Sequence, residues 1–119
     1  MDTSTKPRFQ FRLRVYRENA IAIGPGKIAL LEAILEAGSI TAAAQKMGMS
    51  YRRAWLLVDE LNRSLREPAV ESAVGGARGG GTVVTEVGRE LIRRYRSIEA
   101  TARSAAAEDI AAMADMLAD

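Results

Sequence analysis

The chain has 119 residues, of which 48% are hydrophobic but only 5% aromatic, carries a net charge of +2 and contains neither cysteine nor histidine. That length suits one domain with a modest core, built for want of aromatics from Ala, Leu, Ile, Val and Met, and the missing Cys and His remove disulfides, thiolate nucleophiles, the usual zinc ligand sets and the commonest general base. Residues 1–20 hold no apolar run of signal-peptide type, and no stretch of about 18 apolar residues is available to span a bilayer, so the expectation is a soluble, cytoplasmic protein with no membrane partner, no metal and no cofactor.

In chain order, residues 1–8 read as a flexible N-terminus. Five basic residues and no acidic one lie between Lys6 and Arg17, whereas Glu99 to Asp119 holds five acidic residues against Arg103. A basic front with an acidic tail suits a protein that meets a polyanion with one end. Phe9 to Tyr16 alternates apolar and polar, with Phe9, Phe11, Leu13 and Val15 on one face, which predicts a half-buried strand. Pro25 suits a first helical turn, and Ile28, Leu31, Ile34 and Leu35 recur at helical spacing over 26–37 before Gly38. A second helix over 41–47 is capped by Ser39 or Thr41 and stopped by Gly48. Ser50 caps a third, over about 51–65, with Ala54, Val58, Leu61 and Leu65 along one stripe.

Two short apolar runs, Ala69 to Val74 and Thr82 to Val84, surround the glycine-dense Gly75–Gly81 and predict a hairpin. From Thr85, a good N-cap, the chain reads as one helix to about Leu117. Its apolar residues Leu91, Tyr95, Ile98, Ala102, Ala106, Ile110, Met113 and Leu117 step by three or four. With too little chain left to cover that stripe, it predicts a partner helix, and Leu91, Tyr95, Ile98, Ala102, Ile110, Met113 and Leu117 are the candidate dimerisation residues.

Residues 40–60 carry the functional pattern. A helix-turn-helix needs a small residue where its helices cross, a glycine at the turn and apolar neighbours around both. Ala44, Gly48, and the set Ala43, Met47, Met49, Ala54 and Leu57 meet each requirement. In that register Ser50, Tyr51, Arg52 and Arg53 open a recognition helix, where an arginine pairs with guanine or neutralises phosphate. The glycine loop lacks the Lys-Ser/Thr and the following helix of a phosphate cradle, so it reads as a wing tip whose Arg78 lines the minor groove. Thr41 and Thr82 complete the candidate DNA-binding set. Trp55 and Leu56 fall partly outside the apolar stripe, and Trp55 is expected to pack on the wing or the first helix. Asp59 and Glu60, adjacent on a helix, point different ways and make a poor acid–base pair, so no enzyme is expected.

The stretch Ser50-Tyr-Arg-Arg-Ala-Trp55, with Glu60-Leu-Asn62, and Gly75-Gly-Ala-Arg-Gly-Gly-Gly81 followed by Val83-Val-Thr85 resemble the N-terminal domain of the ModE regulators, a molybdate-responsive family related to LysR-type regulators. The likeness runs from about Phe9 to Leu117. It implies a homodimer joined through the long helix, bound to a near-palindromic operator in double-stranded DNA, and a role in molybdenum-related gene regulation. In that family the DNA-binding domain often precedes small β-barrel domains that bind molybdate. None is present in this chain, so the expectation is either a stand-alone form or a fragment, without direct molybdate sensing of its own. The expected architecture is mainly α with a small β component: a winged helix-turn-helix over 9–84, with a β-hairpin wing, and a dimerisation helix over 85–119. The alternative is a protein-interaction or anti-regulator module that pairs through the C-terminal helix. The two readings differ in whether Arg52, Arg53 and Arg78 are needed.

Overall fold

The computed structural model describes residues 6–73 and 81–119. After an irregular segment, β1 (Val15–Arg17) and β2 (Ala20–Ile23) pair as an antiparallel hairpin. There follow α1 (Pro25–Ala37), α2 (Ile40–Met47), α3 (Tyr51–Ser64), a second antiparallel pair formed by β3 (Val70–Ala73) and β4 (Gly81–Val84), then α4 (Glu86–Ala105) and α5 (Ala107–Ala114). Local chemistry sets most of these boundaries. The hydroxyls of Ser39, Ser50 and Thr85 accept hydrogen bonds from the backbone N–H groups of Ala42, Arg53 and Gly88, at 3.0, 3.1 and 3.1 Å. Each satisfies a donor that a helix otherwise leaves unpaired at its start. Ser39, rather than Thr41, is therefore the cap of α2. Gly38 and Gly48 close α1 and α2 in the left-handed region, at φ 78° and 69°, where a Cβ is disfavoured.

Helix α1 is the hub. Ile28, Leu30, Leu31 and Ile34 are fully buried and meet Ala43 and Ala44 of α2, Ala54, Val58 and Leu61 of α3, and Val70, Val84 and Tyr95. Because elements cover α1 on several sides, a one-stripe reading describes it poorly: Leu30 and even Lys27 are buried, while Leu35, expected in the core, is exposed. A bidentate ion pair fastens α4 to α1, Arg96 donating from Nε and Nη2 to Glu32 at 2.9 and 2.6 Å. The hydrogen bonds from Arg96 hold the Glu32 carboxyl below its ordinary 4.5. The pair's stabilising contribution is therefore present above pH 4.5 and fades as the pH falls through the lowered value.

Two expectations need correction. The strand over 9–16 shrinks to three residues, because alternation supplies an apolar face but not a backbone partner, and only Val15–Arg17 finds one in β2. Upstream, Phe9 and Phe11 stack edge to face at 6.0 Å, and the Leu13 carbonyl accepts the Tyr95 hydroxyl at 2.8 Å. The long C-terminal helix is two helices, interrupted at Ala106 (φ −101°, ψ 11°) and ending at Ala114. Ala106 is neither glycine nor proline, and nothing in the sequence marks the break. Among the described residues no helix is long and apolar enough to cross a membrane.

Gly88, in the first turn of α4, lies against the hairpin. A Cβ there would stand 2.5 Å from the Ala69 carbonyl oxygen and 2.6 Å from Val84 Cγ1. Gly88→Ala should therefore destabilise the fold by about 2 kcal/mol despite alanine's better helix propensity, since overpacking outweighs the propensity gain. Urea denaturation measures this, and an unchanged or raised midpoint contradicts so close an approach.

Candidate nucleic-acid interface

The pair α2–α3 forms the predicted helix-turn-helix. Ala43 and Ala44 are buried at the crossing, which lets the helices approach closely. The turn is locked by backbone donation from Met49 to the Ala44 carbonyl at 3.0 Å and from Gly48 to the Gln45 carbonyl at 3.2 Å. On α3 the stripe Ala54, Val58 and Leu61 faces the core. The outward side presents Tyr51 (55% exposed), Arg52, Arg53, Trp55 (46%) and Leu56 (42%).

Arg52 and Arg53 stand in the first turn of α3, which contains no acidic residue. Cations at a helix N-terminus oppose the helix dipole, so this placement does not serve helix stability. Among the described residues neither arginine is paired with a carboxylate. Arg63 is paired with Asp59, Lys46 with Glu36, Arg89 with Glu86, Arg93 and Arg94 with Glu90, and Arg96 with Glu32 and Glu99. The front of α3 thus offers two solvent-facing guanidinium groups suited to phosphate or base edges. The Ser50 hydroxyl is engaged as the cap, Thr41 is exposed on the first turn of α2, and Thr82 is half-buried on β4 with its N–H aimed at the Gly38 carbonyl, 3.4 Å away. Arg78 and the wing glycines before Gly81 lie outside the described residues.

Four side chains brace α3 and the hairpin beside it. Asn62 fastens the hairpin: its Oδ1 accepts from the Ala69 and Val70 N–H groups at 2.8 and 3.2 Å, and its Nδ2 donates to the Val70 carbonyl at 3.0 Å. Thr85 closes the other foot, donating its hydroxyl to the Pro68 carbonyl at 2.7 Å and its N–H to the Ala69 carbonyl at 2.9 Å. Buried Lys27 joins the first hairpin to α3, donating to the Ile21 carbonyl at 2.6 Å and lying 3.4 Å from the Glu60 carboxylate. Arg17 adds a bond to the Arg63 carbonyl at 3.3 Å. Lys27 escaped the sequence reading, its one mark being a cation among the apolar positions of α1. Trp55, expected to pack, is nearly half exposed on α3.

The candidate dimerisation residues divide into two groups. Leu91 packs against the core, and Tyr95, 2% exposed, is enclosed by its own chain. Burial, ahead of the nearby Glu99 charge, raises its phenol's pKa. Tyr95 is thus withdrawn from any partner-facing stripe, because the first half of α4 lies on α1. Beyond it Ile98, Met113 and Leu117 are exposed, Ala102 and Ile110 are half-buried, and no residue of α5 is buried. Phe9, Arg103, Ile110, Met113 and Leu117 border a mainly apolar groove of about 560 Å³. Among the described residues no group of His, Cys, Asp or Glu is placed to hold a metal ion.

A helix-turn-helix backed by a central helix and flanked by a β-hairpin defines a winged-helix DNA-binding domain. The sequence matches the bacterial regulatory helix-turn-helix proteins of the lysR family over residues 26–89. It is 39% identical over 101 residues to the molybdenum transport protein ModE of Azotobacter vinelandii, covering 85% of this chain and 37% of that one. It is 44% identical over 86 residues to the molybdenum-pterin-binding protein MopB of Rhodobacter capsulatus (72% and 32%). It is 42% identical over 71 residues to the DNA-binding transcriptional dual regulator ModE of Escherichia coli K12 (60% and 27%). The chain therefore spans about a third of the length of these curated relatives. Among solved structures, the CbnR_DBD-DNA complex matches with a TM-score of 0.55 at 23% identity, over 73% of this chain and 95% of that one, a likeness of fold. The chain belongs to the lysR family of bacterial regulatory helix-turn-helix proteins. It is a DNA-binding regulatory domain of the helix-turn-helix type.

Asn62→Ala should cost about 3 kcal/mol, because it strands two N–H donors and one carbonyl at the buried foot of β3. Asn62→Asp, which retains the accepting oxygen, should cost less. Equal losses for the two variants in urea denaturation contradict the assigned hydrogen bonds.

Proposed function

We propose that the chain is the DNA-binding part of a homodimeric, sequence-specific transcriptional regulator of molybdenum-related genes, acting in the cytoplasm on a near-palindromic operator. The observation that carries the DNA contact is the pair of uncompensated arginines at the front of α3, set against the dipole of their own helix. Molybdenum enters through the names of the relatives, ModE and MopB. In this reading Arg53 reads a base edge and Arg52 binds phosphate, with Thr41, Ser50 and Tyr51 alongside on the helix-turn-helix. Arg78 and Thr82 belong to the wing, and Arg78 neutralises about one phosphate per subunit.

Dimerisation is assigned to the distal part of α4 and to α5, through Ile98, Ala102, Ile110, Met113 and Leu117. The chain's radius of gyration is 17.8 Å, against roughly 13.5 Å for a compact domain of this length. That excess, together with a helix that has no fully buried residue, supports a second copy as the cover.

Fluorescence titration against DNA upstream of the chain's own gene tests the contact. Arg53→Ala should lose roughly 1–3 kcal/mol and relax preference at one position, while Arg52→Ala should weaken all sequences about equally. Arg78→Ala should flatten the slope of log K against log salt by about two units per dimer. Unchanged affinity in all three variants shifts the reading to a protein-interaction module.

Sedimentation tests the assembly. The wild type should run as a dimer at micromolar concentration, and Ile98→Asp with Met113→Asp should yield a folded monomer. A compact wild-type monomer overturns the proposed dimer.

A further inference from the structure

Leu56 and Trp55 are large apolar side chains on the solvent side of the helix that carries Arg52 and Arg53. One exposed leucine on a protein surface needs no explanation. These two have particular neighbours. Leu56 lies four residues from Arg52 and three from Arg53, so all three share one helix surface, and Trp55 lies one turn beyond Tyr51. The core-facing stripe is Ala54, Val58 and Leu61. At about 100° per residue, Leu56 falls diametrically opposite its centre and Trp55 falls on its flank. Among the described residues nothing calls for an apolar side chain at the point of α3 farthest from the core. A hydrated lysine or glutamate would keep the helix equally well.

Resting on the DNA-binding reading, we infer that Leu56, flanked by Trp55, reads the C5 methyl of a thymine in the major groove, between the phosphate and base contacts of Arg52 and Arg53. The charge pattern supports DNA as the occupant, since the flanking unpaired guanidinium groups complement a polyanion and would be costly to desolvate in an apolar protein interface. Within the groove, thymine is the base whose edge carries a methyl group, so an apolar side chain there discriminates thymine from cytosine and from the purines. Leu56 supplies the contact. Trp55 walls it from solvent and, being the chain's single tryptophan, reports on it.

The test uses the full chain and a 30-base-pair duplex that the protein itself selects from a randomised pool, about 30 being enough for two half-sites one helical turn apart. Thymines in the selected consensus are replaced one at a time by deoxyuridine, which removes only the methyl. Wild-type protein should lose about fourfold in affinity at the thymine facing α3, the equivalent of about 0.8 kcal/mol for one buried carbon. Leu56→Ala should bind the thymine and deoxyuridine duplexes with equal affinity while keeping its salt slope. Saturation with the thymine duplex should protect Trp55 from acrylamide quenching. Insensitivity of the wild type to every deoxyuridine overturns the inference, as does an unchanged thymine preference in Leu56→Ala or full quenching of Trp55 in the complex. Failure to select any duplex overturns the DNA-binding reading itself and the inference with it.

Discussion

One carboxamide sets the geometry on which DNA recognition depends. Asn62 sits near the end of α3 and satisfies three backbone groups at the start of β3, so the reading helix and the hairpin that flanks it cannot move independently. Ala69 and Val70, whose N–H groups it accepts, are buried, so no water replaces the lost partners without opening the core. Thr85 then ties the return of the hairpin to the start of α4, and its hydroxyl is shared between capping α4 and holding Pro68. Among the described residues these bonds form a frame: Asn62 ties α3 to β3, backbone pairing ties β3 to β4, and Thr85 ties the feet of the hairpin to α4. Sequence-specific binding requires base-reading groups held to within fractions of an ångström, and such a frame supplies that rigidity without a large core.

The first hairpin braces the opposite side of α3. Lys27 is nine-tenths buried, and a lone ammonium there would be expensive, yet its Nζ has a carbonyl on β2 and a carboxylate on α3 within reach. Both partners lie on elements that must stay in register with α1, so the charge converts its own desolvation cost into orientational specificity for α3. The segment that precedes this hairpin lies along the C-terminal helices, through Leu13 with Tyr95 and through Phe9 beneath the Arg103 guanidinium. Residues ahead of the family-matched 26–89 thus touch both the reading helix and the helices assigned to dimerisation.

Much of this was legible in the sequence because it is encoded locally. Ser50, Thr85, Pro25, Gly38 and Gly48 act through bonds and torsions within a few residues of themselves, and each sits where its chemistry predicts. The helix-turn-helix was legible for the same reason, since Ala44, Gly48 and the flanking apolar residues are separated by fixed turns of helix. What was not legible depends on distant partners. The alternation at 9–16 cannot reveal that a pairing strand exists only opposite Val15–Arg17. The stripe from Leu91 to Leu117 cannot reveal that its first third lies on α1. Lys27 is unreadable because its carbonyl and carboxylate partners are 6 residues before it and 33 after it, joined only by the fold.

The division of α4 carries the last consequence. Tyr95 and Leu91 complete the core of the winged helix, so the DNA-binding unit buries its hydrophobic surface within one chain. Past Ile98 the rest of α4 contributes almost nothing to that core, and α5, beyond the break at Ala106, contributes nothing. One helix therefore has two separable roles, stability of the reading unit in its first half and presentation of an uncovered apolar surface in its second. The Arg96 pairs with Glu32 and Glu99 mark the junction and hold the direction in which the distal half leaves. Since two copies joined through that half would inherit the direction, these charges bear on the distance between their two α3 helices. Under the proposed dimer, operator spacing would follow from α4 and its anchoring to α1, and sequence preference from α3.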